Sequence, residues 1–200
     1  MLDEQDGFFL VATPGSSDEV FTPSLRESEN EVIVEFAGAQ GNRVYRFSNM
    51  DARVSIELPP GSSLKLATGA AFIPEQLPGF GQIYSRVKGV LVDQSGQTVF
   101  DDPDQPLTEL RAGNEVWVGM RSRYWTILVH PLAGQLAGVI DTRQLDRPVL
   151  DIAGDDGDSP VALEMYAGPV AWASLKNVSP VLSEMLFAAL WDFLRVLCFG

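Results

Sequence analysis

"EVIVEFAGAQGNRVYRFSNMDARVSIELP", residues 31–59, decides the fold class. Val32, Val34 and Phe36 alternate with Glu31, Ile33 and Glu35, and the pattern recurs with Val54, Ile56 and Leu58 against Arg53, Ser55 and Glu57. A period of two places successive side chains on opposite faces, which marks antiparallel strands wet on one side. "AQGN", through Gly41 and Asn42, and "NMD" supply turn chemistry between them. The stretch predicts a three-strand meander, closed by Pro59-Pro60-Gly61.

Working outward, the same texture continues. "QIYSRVKGVLVD" and "TVFDD" predict two strands joined by a hairpin at residues 94–97, and "EVWVGMRSRYWTILVHP" predicts two more, broken near Arg121-Ser122-Arg123. Strands are also expected at "LAGVIDTR", "RPVLDIAG" and "SPVALEMYAGP", while residues 64–81 read as a mixed, irregular stretch. Helical patterning begins only after Gly168-Pro169. "VAWASLKNV" predicts a short helix. Ser179 is then a good N-cap with Pro180 at the first helical position, and a helix is expected to run to about Phe199. Residues 186–199 carry only two charges, Asp192 and Arg195. A bilayer span needs about 20 apolar residues, so this run is too short to cross and very apolar for a solvent-facing helix.

Composition narrows function. The 200 residues are 46% apolar, with Gly 18 and Pro 13, which suits one β-rich body of many short strands. A formal charge of −13, with the Lys and Arg scattered, argues against nucleic-acid binding and against general adsorption to an anionic membrane. Cys198 is the single cysteine, so no intramolecular disulfide forms. The opening "MLDEQDGFF" lacks the basic start and long apolar core of a signal peptide.

No catalytic constellation stands out. His130 is the single histidine, there is no G-x-S-x-G, and "GFGQ" lacks a strand–helix context. No catalytic, cofactor-binding or metal residue is therefore assigned, and no cofactor is expected. "DDPDQP" and "GDDGDS" read as solvated turns, since neither has the spacing of a calcium loop. Trp117, Tyr124 and Trp125 either fill the sheet core or line a binding cleft.

"EVWVGMRSRYWTILVHP" and "MYAGPVAWASLKNVSPVLSEMLFAALWDFLRVLCFG" together resemble two segments of the periplasmic domain of the membrane protein insertase YidC. The first reads as a glycine-containing strand, basic turn, aromatic pair and closing proline. The second reads as a Tyr-x-Gly-Pro strand entering helices that lead to a membrane span. "NEVIVEFAGAQGNRVYRF" and "IYSRVKGVLV" are similar to the preceding family strands, more loosely. The resemblance implies a mainly β fold, a galactose-mutarotase-like β-supersandwich of antiparallel strands with C-terminal α-helices. Residues 1–168 would form the body and 169–200 the helices leading to the next span.

It also implies a non-enzymatic role at the periplasmic face of the bacterial inner membrane. There the domain would support insertion and folding of membrane proteins through the accessory proteins SecDF, nascent chains, the rest of the insertase and the lipid surface. On that reading the chain is expected to be either a piece of a longer protein whose spans lie outside it or a naturally short relative, which the sequence does not separate. Met185, Leu186, Leu190, Trp191, Phe193, Leu194 and Leu197 would form the membrane or partner surface of the last helix. The fold relationship raises an alternative, a sugar-binding or aldose epimerase protein, in which His130 and a carboxylate would converge in a cleft.

Overall fold

The computed structural model describes residues 7–12, 20–69, 72, 86–102, 104–144, 147–183 and 185–186. In chain order the strands are β1 (Gly7–Ala12), β2 (Thr22–Glu27), β3 (Glu31–Gly38), β4 (Gly41–Ser48), β5 (Arg53–Leu58), β6 (Ser63–Thr68) and β7 (Lys88–Asp93). They continue with β8 (Gly96–Phe100), β9 (Leu107–Ala112), β10 (Trp117–Arg121), β11 (Trp125–Pro131), β12 (Leu136–Asp141), β13 (Val149–Gly154) and β14 (Val161–Pro169), and helix α1 (Trp172–Val178) follows. The expected mainly β architecture is present. One sheet runs β2-β3-β4-β5-β14-β11-β10-β7-β8 and the other β1-β6-β13-β12-β9, with every pairing antiparallel.

The meander forms as the alternation requires. Val54, Ile56 and Leu58 turn inward, and Ile56 and Leu58 join the core between the sheets. Leu64, Leu66, Ile140, Leu150 and Ile152 meet them from the smaller sheet. Phe36 packs edge-on against Tyr45, and Tyr45 against Phe9. On the opposite face, Arg26–Glu35 (3.0 Å) and Arg46–Glu57 (3.1 Å) pair across strands in solvent. The first turn falls within the expected "AQGN", residues 39–42: Gly38 pairs with Gly41, so Ala39 and Gln40 make the bend and Asn42 already belongs to β4. Gly41 instead adopts φ 126°, a region that side chains disfavour.

Four strands lacked a readable sequence signal. β2 is exposed on both faces, with Pro23 in an edge strand where a missing N–H costs little. β9 carries one buried leucine, Leu110, among charges. Among the described residues β1 pairs only with β6, and β6 shows its alternation of Leu64, Leu66 and Thr68 over just six residues. Of the stretch read as irregular, residues 70–71 and 73–81 lie outside the described residues.

Beyond α1 the chain is helical at 180–183 and 185–186. Ser179 is extended and ends α1, its N–H donating to the Leu175 carbonyl at 2.9 Å. The helix predicted from Pro180 therefore begins where expected, and its portion from residue 187 lies outside the described residues. Leu175, Leu182 and Met185 pack on Val90, Val92, Trp117, Leu128 and Tyr166, a second apolar layer on the outer face of the larger sheet.

Turn carboxylates hold several connections. Asp93 accepts the Ser95 N–H (2.7 Å), Asp156 accepts the Ser159 N–H and hydroxyl, and Asp141 takes the Arg143 guanidinium. The Ser95, Ser159 and Arg143 bonds hold the three carboxyls below the usual carboxylate range. A depressed folded value stabilises above the unfolded value and is lost as pH falls through the folded one. The urea midpoint is expected to drop on acidification from about pH 5 to about pH 2, and Asp141→Asn to shrink that drop while lowering the midpoint at neutral pH. A drop of the same size in the variant would contradict the assignment of Asp141.

Candidate functional site

The sequence Tyr166-Ala167-Gly168-Pro169 closes β14, and its parts act as one unit. The Tyr166 hydroxyl donates to the Pro169 carbonyl at 2.8 Å, which folds the ring back over Gly168. A Cβ on Gly168 would stand 2.6 Å from that hydroxyl oxygen, so only glycine fits beneath the ring. Burial pushes the Tyr166 phenol up, and the ring becomes part of the floor on which Leu175, Leu182 and Met185 rest. The motif thus ends a strand and seats two helices.

Beside this layer lies a polar row on the same face. The register of β11 and β14 sets His130 opposite Glu164. His130 Nε2 is 3.2 Å from Glu164 Oε2, and Glu164 Oε1 is 3.4 Å from Arg53 Nη1. Arg53 continues to Asp51 at 2.8 Å. The His130 ring lies 4.1 Å from the Trp117 ring, and its Nδ1 is 2.8 Å from the Pro131 carbonyl oxygen. Both nitrogens and one ring face are engaged by the protein itself, and the His130–Glu164 contact ties β11 to β14. The pair was not legible in the sequence, because 34 residues separate its members.

A third cluster occupies the end of the larger sheet where β14 meets α1. The turn between β10 and β11 is closed by Ser122: its N–H donates to the Trp125 carbonyl (2.8 Å) and its hydroxyl accepts the Trp125 N–H (3.2 Å). Thr126 adds a bond to the Met120 carbonyl at 2.9 Å. Held this way, Arg123, Tyr124 and Trp125 project into solvent. The Val170 N–H donates to the Tyr124 carbonyl at 2.8 Å, which brings the start of α1 and Trp172 to the same end. Burial lowers the Arg121 guanidinium from its ordinary value, and Arg121 donates to Gln97 and, at 3.3 Å, to the Met185 carbonyl. That last bond ties the second helix to the tip of β10.

The expected site residues therefore part company. Trp117 lines no cleft: it is 2% exposed, because its strand is covered by helices on that face. Tyr124 and Trp125 do not fill the core, because the Ser122 turn carries them past it. Met185, expected on the surface offered to a membrane or partner, is fully buried against the sheet, and Leu186 is half-buried beside it. Leu190, Trp191, Phe193, Leu194 and Leu197 lie outside the described residues. Trp172, missed in the sequence, joins the exposed aromatics; its nearness to Gly168-Pro169 was the available signal.

Among the described residues no group of three His, Cys, Asp or Glu side chains converges to hold a metal, and no helix is long and apolar enough to cross a membrane. A scan against protein-family models finds no match, and no curated protein matches the chain.

The tyrosine unit has a direct test. Gly168→Ala is expected to cost roughly 2–3 kcal/mol, since the ring must leave its seat, whereas Tyr166→Phe removes one hydrogen bond and costs about 1 kcal/mol. Chemical denaturation of both variants measures this, and a Gly168→Ala protein as stable as wild type would refute the seating role.

Proposed function

We propose that the chain is the periplasmic domain of a YidC-like membrane protein insertase, a non-catalytic body at the periplasmic face of the bacterial inner membrane. It supports insertion and folding of inner-membrane proteins by contact with SecDF, with emerging segments, with the rest of the insertase and with the lipid surface. The observation that carries this reading is the Tyr166–Pro169 unit, which leads straight into α1 and the helix from Pro180. That is the order of parts the resemblance implies. The apolar residues after Leu186 then continue from a helix already anchored on the sheet by Met185.

The reading is tested by titrating the purified chain against the periplasmic domains of SecDF. Saturable binding that is lost with acidic or basic substitutions on one face is expected; absence of binding at the highest soluble concentrations counts against the insertase assignment.

The His130–Glu164 contact favours a second reading, a mutarotase-like sugar-binding or epimerase protein, because it sets a histidine beside a carboxylate. On the first reading, optical rotation of fresh aldose solutions relaxes no faster with the chain than without it. Acceleration abolished by His130→Ala in a protein that remains folded would promote the sugar enzyme instead.

A further inference from the structure

Seven of the fourteen Lys and Arg of this acidic chain hold a carboxylate among the described residues, Arg111 (to Asp155) being one. Arg26, Arg46, Arg53, Lys65, Lys88 and Arg143 each hold a carboxylate. At the end where β10, β11 and β14 meet the helices the pattern changes. Arg121, Arg123 and Lys176 have no acidic partner among the described residues. Arg123 instead lies 5.2 Å from the Tyr124 ring centre, and Lys176 lies 4.4 Å from that of Trp172. The carboxylates nearby in the register, Asp51 and Asp101, are taken by Arg53 and Lys88. The aromatic residues at this end are open: Tyr124 is 54% exposed, Trp125 50% and Trp172 48%.

Three half-exposed amphipathic rings, two of them capped by unpaired cations, form an unusual surface on a protein of charge −13. Trp and Tyr favour the boundary between headgroups and acyl chains, where the ring is apolar and its polar edge stays wet. Lysine and arginine held at that depth interact with anionic headgroups. The stretch is also preorganised, because the Ser122 and Val170 bonds fix its backbone. Finally, the Arg121 bond to the Met185 carbonyl places the second helix at this same end.

We infer that the turn residues Arg123, Tyr124 and Trp125, together with Trp172 and Lys176, form a docking surface for an anionic phospholipid headgroup layer. The inference rests on the membrane-facing part of the insertase reading and adds a contact that reading does not contain. Its consequence is orientation. General adsorption of so acidic a body is repelled, so only this end approaches an anionic leaflet, and the larger sheet stands with its strands pointing at the membrane.

The test uses the full chain in sedimentation with vesicles of phosphatidylcholine alone and of phosphatidylcholine mixed with phosphatidylglycerol. Wild type is expected to favour the anionic vesicles and to lose that preference as salt rises. Arg123→Gln with Lys176→Gln should lower anionic partitioning by roughly tenfold, and Tyr124→Ser with Trp125→Ser and Trp172→Ser should do so on both vesicle types. All these residues are exposed, so urea midpoints should stay near wild type. Trp191→Ser with Phe193→Ser and Leu194→Ser separates the apolar run after Leu186 from the turn. If this variant loses binding while the turn variants keep it, the docking surface is refuted and the apolar run after Leu186 remains the anchor. If wild type binds neither vesicle, both the docking surface and the lipid-surface part of the insertase reading fall. If vesicle binding is absent but SecDF binding is lost in the turn variants, the patch serves an acidic protein and the lipid assignment is overturned.

Discussion

The strands β14, β11, β10 and β7 are covered on both faces, and the rest of the molecule depends on that double burial. Their inner side chains, such as Leu163, Val129, Val118 and Met120, meet the smaller sheet. Their outer side chains, such as Tyr166, Leu128, Trp117 and Val90, meet the helices. Each large apolar side chain so buried contributes about 1.5–3 kcal/mol before entropy is counted. A sheet covered once could shed its helices and stay folded. Here the helices shield Trp117, a side chain too large to leave wet, so the helical layer belongs to the body.

That layer is positioned by short, specific bonds more than by area. Tyr166 folds over Gly168 and bonds Pro169, Val170 bonds Tyr124, and Arg121 reaches the Met185 carbonyl. Together they converge on one end of the larger sheet. The same contacts that seat the helices also freeze the β10–β11 turn and expose its aromatic rings. Structure and proposed contact therefore share one set of residues.

The polar row His130–Glu164–Arg53–Asp51 shows the opposite use of charge. Its members are partly buried, aligned across three strands and satisfied by one another. Arg123 and Lys176 at the sheet end are exposed and lie on aromatic rings. A satisfied network specifies a fold; an unsatisfied one invites a partner. This contrast is why the row is assigned to architecture and the end to recognition.

Much of this was legible from residues alone. Alternation at 31–58 announced the meander, because a period of two has few readings other than a half-buried strand, and Ser179-Pro180 announced a helix start. The weakly patterned strands β1, β2, β6 and β9 were not legible, since edge position and short length leave little alternation to detect. Nor did the sequence separate Trp117 from Tyr124 and Trp125, which lie within nine residues of one another. Local pattern tells which side of a strand a residue occupies, but whether that side is covered depends on what packs there. Only the folded chain brought the helices over Trp117 and left the turn bare, because those contacts join residues that the sequence keeps far apart.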